Sequence, residues 1–468
     1  MNDHDFRQLL PRFLTWLGLA AGLGVTWRHI SQTNFPVDMI IYREGSRAFF
    51  SGGEVYSVPM FAGDLALPFI YPPFGALILG PLTPSWISDD LAGDIMIVVS
   101  NILLLACLHF AFKELMPKAQ AWDRRAVTVV AWVAGMLIEP VWLNQGFAQV
   151  NMLLMGLVFL DLVPRKRHLP RGFWIGIAAA IKISPLAMCL YFLLRKDFRA
   201  IITTAVTALV ATLIAAAVRW DATVEYFSVT LLGMNSGNEF GVDSSYQSNS
   251  SIKGVLMRFA ESQAQLDANS TLVNILTIVL SLAVIVAGSL LMLALMRRNM
   301  TIDAILVNSL VMLLISPVSW SHHWVWLALI LPVTAWRLAT VLKQNTALTV
   351  VTALWAVLVL TNPPKWWFGD AIQVFELAIW QKILVSDFVW LAIAYMIALA
   401  VALRAVPLSE RVDSGSENPD GDKGGDAQDD KDPGASKRAT SPSAAGVEGV
   451  DARSGELQDD RNSEQDQG

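Results

Sequence analysis

Asp38 is the lone carboxylate in Pro36-Val37-Asp38-Met39-Ile40-Ile41-Tyr42, just ahead of Arg43 and Glu44 and a few residues beyond the first apolar run of the chain. An acid at the point where a chain leaves a bilayer serves either as a loop or helix cap or as a general base at the mouth of a cavity. In a helix, Asp38 and Tyr42 share one face at i, i+4. Lys182 sits in Ala178-Ala179-Ala180-Ile181-Lys182-Ile183-Ser184-Pro185. A cation in such a setting either snorkels to water or faces a cavity and an anion, for which phosphate is a natural partner. His322 and His323 stand between Trp320 and Trp324. Tryptophan is ordinary at a membrane interface, whereas two imidazoles there suit donation to a phosphate or a hydroxyl. They do not suit a metal, because neighbours on a helix diverge by about 100° and no acid lies close in sequence.

Other polar residues keep two readings open. Tyr71 begins Tyr71-Pro72-Pro73-Phe74, where the prolines stiffen a turn and the ring is placed to lie against a lipid or sugar. Asn144, Gln145, Gln149 and Asn151 bracket a return between two spans and either cross-bond helices or contact a ligand. The stretch 244–258 contains Asn249, Lys253 and Arg258 among small polar residues. It reads as a binder of hydroxyls and phosphate or as a solvated loop. Glu139 and Asp161 are also acids in apolar context, and Asp161 is expected to pair with nearby Arg165.

The elements that must position these groups are apolar runs. The chain has 468 residues, 54% of them hydrophobic, with mean hydropathy +0.48. Runs of roughly 17–25 apolar residues span a bilayer, so an all-α polytopic membrane protein is expected. Candidate spans are 13–27, 91–112, 126–143, 150–163, 200–218, 271–296, 304–316, 324–341, 347–361 and 388–405. The first is expected to be an uncleaved anchor. Residues 68–84 are short and proline-rich and are expected to form a re-entrant or interfacial hairpin. Residues 172–194 break at Pro185 and are expected to enter and return as two short helices. About twelve membrane helical segments result. The basic clusters 113–125, 165–171, 195–199, 297–298 and 337–343 are expected on the cytoplasmic side with both termini, which puts the polar candidates on the external face.

The net charge of −6 is unevenly distributed: from Pro407 onward sixteen acids face seven basic residues, so residues 1–406 carry about +3. A membrane domain over 1–406 and a disordered acidic cytoplasmic tail over 407–468 are expected. Cys107 and Cys189 both lie in apolar runs and suggest neither a disulfide nor a metal site.

In chain order, the pieces Val37–Tyr42, Ile70-Tyr71-Pro72-Pro73-Phe74-Gly75-Ala76-Leu77, Gln149-Val150-Asn151-Met152-Leu153, Ala179–Pro185, Asn249-Ser250-Ser251-Ile252-Lys253-Gly254 and Ser316–Trp324 form a set covering about residues 37 to 326. That set resembles the C-type (GT-C) glycosyltransferases, and within them the polyprenol-phosphate-mannose-dependent α-mannosyltransferases of actinobacteria. One departure is Asn249-Ser250-Ser251-Ile252, where the family has Asn-Gln-Ser-Leu. The resemblance implies a GT-C-like fold in the cell membrane. It also implies inverting transfer of mannose from polyprenyl-phosphate-mannose to a glycolipid acceptor: phosphatidylinositol mannoside, lipomannan or lipoarabinomannan. An α-1,2 linkage is expected over α-1,6.

One inverting displacement needs one base and stabilisation of the departing phosphate. Asp38 is expected as that base. Lys182, His322, His323, Tyr42, Tyr71, Gln149, Asn151, Asn249, Lys253 and Arg258 are expected around donor and substrate. No cofactor, metal or nucleic-acid partner is expected, and no Gly-rich nucleotide loop occurs. The alternative is a transporter or flippase of a polyprenyl-linked or glycolipid substrate, which a broken helix and an intramembrane lysine would equally serve. Against it stand the lack of an inverted hydropathy repeat and the gathering of polar residues on one face.

Overall fold

The computed structural model describes residues 3–163, 166–233, 241–343, 345–370 and 372–408. The acidic tail beyond Leu408 and Arg165, the expected partner of Asp161, lie outside the described residues.

Among the described residues, six helices are long and apolar enough to cross a membrane: Leu9–Gln32, Asp89–Leu115, Phe198–Val218, Ser270–Met296, Thr346–Trp366 and Asp387–Ala405. A bent pair, Ala121–Met136 and Glu139–Gly146, makes a seventh if counted as one span. This is a multi-pass membrane protein. The run 126–143 is that bent pair, with 66° between its two parts and Pro140 in the first turn of the second. The other apolar segments are shorter. Asn151–Leu162 has 12 residues, Thr301–Ile315 has 15 and Leu327–Thr340 has 14. At about 1.5 Å per residue none of them reaches the roughly 30 Å of a hydrocarbon core.

Length and position go together. Ile202, Leu209, Ile278 and Val286 are exposed on the long helices Phe198–Val218 and Ser270–Met296, as expected of surfaces that face lipid. Thr301–Ile315 is buried from Ile302 to Leu314, as a helix apolar on every side should be. The short helix Thr301–Ile315 is therefore interior and the long helices Phe198–Val218 and Ser270–Met296 are peripheral, whereas the long helices Asp89–Leu115 and Asp387–Ala405 are about half buried.

Local chemistry sets the helix ends. Ser88 Oγ accepts from the Leu91 amide at 3.1 Å, and Asp89 and Asp90 occupy the first turn of Asp89–Leu115 with Lys113 in the last, matching the helix dipole. Asp161 does not wait for a basic partner. Its carboxylate accepts from the amides of Gly172 (3.0 Å) and Ile175 (3.1 Å) and so caps the helix Phe173–Ile181. Gly172 has φ 90°, and a Cβ there would lie 2.2 Å from the Ala200 carbonyl oxygen, so only glycine fits.

The expected break at Pro185 is present. Phe173–Ile181 stops at Lys182, whose backbone is extended (φ −150°, ψ 133°), and a 3-10 turn over Ser184–Met188 leads to Cys189–Leu194. The proline-rich stretch forms a short helix, Pro73–Leu79, then a 3-10 turn, Gly80–Leu82. Among the described residues the sheet is one hairpin, Met60–Ala62 with Leu65–Leu67, paired antiparallel with Met60 opposite Leu67.

Asp38 lies in the first turn of Val37–Ser51. Arg43, fully buried, anchors that helix by donating to the Asp89 carboxylate and the Ile87 carbonyl. Arg219 closes its other end, donating to the carbonyls of Ala48 (3.0 Å), Phe49 (3.2 Å) and Gly53 (2.9 Å). The Ala48 carbonyl also accepts from the Gly53 amide at 3.0 Å, so the guanidinium adds to the cap on the exposed end of the helix.

Candidate active site

The centre of the site is an amide. Gln149 Nε2 donates to Asp38 Oδ2 at 2.7 Å, bridging residues 111 positions apart. The amide's oxygen accepts from Tyr42 at 2.5 Å, from Tyr71 at 3.4 Å and from Asn151 Nδ2 at 3.4 Å. Tyr42 and Tyr71 hydroxyls are themselves 2.8 Å apart. With those donors on Oε1, Gln149 can only present its NH₂ to Asp38, so the network fixes the amide's orientation.

The turn carrying Gln149 is strained. Ala148 has φ 50°, which is rare for a residue with a side chain. Asn144 holds the turn from both sides: its carbonyl accepts from the Gln149 amide at 2.9 Å and its Nδ2 donates to the Gln149 carbonyl at 3.3 Å.

Burial pushes the Asp38 carboxyl up to about 6, with the Gln149 hydrogen bond and the Lys182 charge opposing the shift. The Tyr42 and Tyr71 hydroxyls are driven upward by the same burial and by the nearby carboxylate, so both keep their protons.

The second half of the site comes from the helix break. Lys182 Nζ donates to Asn151 Oδ1 at 3.1 Å, lies 3.2 Å from His323 Nε2, and sits 5.4 Å from the centre of the Tyr71 ring. Asn151 Nδ2 also donates to the His322 carbonyl at 3.2 Å. Asn151 thus joins the Asp38–Gln149 network to Lys182 and the imidazoles. The His322 ring packs edge-on to His323 (4.9 Å) and Phe147 (5.3 Å). Its Nε2 is buried without a hydrogen-bond partner, although the residue lines a cavity.

That cavity measures about 750 Å³ and is bordered by Asp38, Tyr42, Tyr71, Gln149, Lys182, His322 and His323 together. One wall is aliphatic, with Ile183, Leu186, Ala187, Met312 and Ile315, and another carries Tyr246, Trp320 and Trp366. Asp38, Lys182, His322 and His323, from three distant stretches of the chain, therefore present a carboxylate, an ammonium and two imidazoles to one space. Such a set can take a proton from a hydroxyl and hold an anion.

Residues 69–317 match the family model described as Glycosyltransferase family 87, more than half of the chain. The chain belongs to glycosyltransferase family 87. It is 31% identical over 410 residues to a polyprenol-phosphate-mannose-dependent alpha-(1-2)-phosphatidylinositol mannoside mannosyltransferase of Mycolicibacterium smegmatis, covering 83% of this chain and 89% of that one. Its similarity to the Mycobacterium tuberculosis protein of the same description is 31% over 431 residues, 84% of this chain and 92% of the other. A phosphatidylinositol pentamannoside mannosyltransferase of M. tuberculosis is 26% identical over 401 residues, covering 84% and 86%. The crystal structure of ArnT from Cupriavidus metallidurans bound to undecaprenyl phosphate aligns over 83% of this chain and 76% of that one, at 16% identity and a TM-score of 0.34, too low to define a shared fold.

Asn151 lines a smaller pocket together with Lys182 and His323, and three further expected contact residues of this glycosyltransferase are not on the cavity wall. Asn249, Lys253 and Arg258 are buried behind it. Asn249 Nδ2 donates to the Ser244 carbonyl at 2.8 Å and its Oδ1 accepts from the Ser319 amide at 2.9 Å. Arg258 donates to the carbonyls of Tyr246 (3.1 Å) and Asn249 (2.9 Å) and, through Nε and Nη2, to Ser386 Oγ. Lys253 lies on the buried helix Ile252–Arg258. The stretch is neither solvated nor ligand-facing, apart from Tyr246 and Ser248 on the cavity wall. It braces the histidine loop: the Ser321 amide donates to Ser248 Oγ at 3.1 Å and the Ser250 amide to the Ser319 carbonyl at 2.7 Å.

A second polar cluster was not legible as such in the sequence. The Glu139 carboxylate accepts from Ser321 Oγ at 2.7 Å and from Trp366 Nε1 at 2.6 Å. Lys365, fully buried, pairs with Asp387 at 3.1 Å and donates to Ser250 Oγ at 2.9 Å. The only sequence signal was charge at the borders of apolar runs, which many spans share. Among the described residues no group of three or more His, Cys, Asp or Glu side chains is placed to hold a metal ion.

Proposed function

We propose that this family 87 glycosyltransferase moves a mannosyl group from polyprenyl-phosphate-mannose to a phosphatidylinositol mannoside or related mannosylated lipid, with inversion and an α-1,2 linkage. The observation that carries the reading is the cavity with Asp38 on one side and Lys182 with His322 and His323 on the other. The descriptions of the two 31% identical relatives supply the donor and acceptor classes.

In this reading Asp38 takes the proton from the attacking hydroxyl, and the new bond to the anomeric carbon forms as the bond to the phosphate oxygen breaks. Lys182, His322 and His323 receive the departing phosphate. Gln149, Tyr42 and Tyr71 hold Asp38 in place. Asn151 couples the two halves. The aliphatic wall beside Lys182 suits an isoprenoid chain, whereas Asn249, Lys253 and Arg258 support the wall from behind. The sugar is carried on lipid phosphate, and no resident cofactor is required.

The active site belongs on the external face of the cell membrane, with both termini cytoplasmic and the shorter apolar helices completing about twelve membrane segments in a GT-C-like arrangement. The transferase domain is residues 1–406, and the acidic 407–468 is dispensable for transfer. The test is incubation of membranes containing the full chain with radiolabelled polyprenyl-phosphate-mannose and phosphatidylinositol mannoside, followed by linkage analysis of the product. An α-1,2-mannosylated lipid is expected. Absence of label in any glycolipid, with the protein present and folded, would overturn the reading.

A further inference from the structure

The two walls of the cavity differ in chemistry. Ile183, Leu186, Ala187, Met312 and Ile315 are aliphatic and flank Lys182, whereas Tyr246, Trp320 and Trp366 form an aromatic wall next to His322. The Tyr246 ring lies between the two indoles, 6.3 Å from each, tilted by 59° to Trp320 and 58° to Trp366. All three side chains are only partly buried.

Two of the three, Trp366 and Tyr246, have their orientations locked from outside the cavity. Trp366 Nε1 donates to half-buried Glu139 at 2.6 Å, and the Tyr246 hydroxyl donates to the Asp370 carbonyl at 2.6 Å. Glu139 also holds Ser321, between Trp320 and His322 in the chain. Both polar tips are thereby satisfied by the protein, and what remains for a ligand is ring surface. An isoprenoid needs no such fixed aromatic wall, because aliphatic surface serves it equally well. A hexose does use it: its C–H face is apolar and flat enough to pack on a ring, while its hydroxyls need nearby polar groups. Those groups are at hand in Ser248 and His322 on the same cavity.

We propose that Tyr246, Trp320 and Trp366 form the acceptor subsite, on which the sugar headgroup of the acceptor glycolipid stacks, and that Glu139 is the positioning residue fixing its geometry. This rests on the reading of the chain as a mannosyltransferase with a glycolipid acceptor. The donor's phosphate and isoprenoid occupy the Lys182 side, and the acceptor enters against the indoles with its hydroxyl directed to Asp38.

The experiment measures KM for acceptor and donor separately, using the full chain in membranes with Trp320→Ala and Trp366→Ala. Each substitution is expected to raise the acceptor KM about tenfold, the scale of removing an aromatic anchor, and to leave the donor KM within about twofold. Trp320→Phe and Trp366→Phe keep a ring and are expected to recover most of the loss, which separates stacking from misfolding. Glu139→Gln, which keeps an acceptor for the indole N–H, is expected to preserve acceptor KM better than Glu139→Ala. An unchanged acceptor KM in both alanine variants, or donor KM rising in parallel, overturns the proposal while wild-type transfer continues to support the activity. Binding of soluble α-mannobiose, followed by saturation-transfer NMR, tests the wall apart from the chemistry. Loss of that signal in Trp366→Ala supports the subsite even if the wild type transfers a different sugar, and an undiminished signal in both alanine variants counts against it.

Discussion

Two buried polar networks lie on either side of the histidine loop and use charge in opposite ways. Behind the loop, Lys365 meets the Asp387 carboxylate and Ser250, and Glu139 meets Ser321 and Trp366. Every charge there has its partner within the protein. In front of the loop, Asp38 has one fixed donor, Gln149, and borders open space, while His322 Nε2 has none. A closed network stabilises an architecture, because breaking it strands a buried charge. An incompletely satisfied one facing a cavity is held ready for a ligand, and its charged form is poised rather than fully stabilised.

The largest expected effect tests the open network. Asp38→Asn keeps an oxygen to accept from Gln149 but cannot take a proton, so transfer in the purified folded variant should fall by roughly 10²–10⁴-fold with donor affinity largely kept. Near-normal turnover would make Asp38 a structural residue like Asp387 and erase the contrast. The closed network should respond in stability instead. Lys365→Ala leaves Asp387 buried and unpaired, at a cost of about 3–5 kcal/mol, read as a lowered unfolding temperature in detergent. The double variant Lys365→Met with Asp387→Leu should recover much of that loss.

Lys182 lies between these cases, since it bonds Asn151 and also faces the cavity. Lys182→Ala should raise the donor Kd about tenfold or more by removing a charge-assisted contact to phosphate, a change visible in donor titration. The smallest effect is in pH. With its carboxyl pushed up to about 6, Asp38 is an active base above that value and protonated below it. The kcat/KM should therefore fall about tenfold for each pH unit below 6, whereas an ordinary carboxylate would hold activity to about pH 4. A profile flat to pH 4.5 would show Asp38 to be solvated like a surface acid.

Much of this was legible from local signals. Apolar runs marked the long helices because a bilayer demands about twenty apolar residues in sequence. Pro185 marked the break that frees Lys182, because a missing N–H and a ring clash act within one turn. Asp38, Lys182 and the histidines stood out because charge in apolar surroundings is costly wherever the chain folds. The residues that failed to reach the cavity show where such signals stop. Asn249 and Arg258 have the right chemistry for a phosphate, yet their partners are backbone carbonyls, an amide and Ser386 behind the wall, and Lys253 lies on the same buried helix as Arg258. Side-chain type announces that a polar group needs partners and leaves open who they are.

The sequence by itself determined the perimeter: which segments are apolar, how long they run, where they break, and which few charged groups demand a reason. Only the tertiary structure decided the pairings, because hydrogen bonds act over about 3 Å while the chain separates their members widely. It turned Gln149 toward Asp38 across 111 residues and brought Lys182 to His323 across 141. By the same packing it closed Glu139 onto Trp366 across 227, so that one acid became part of a wall and another was left facing the cavity.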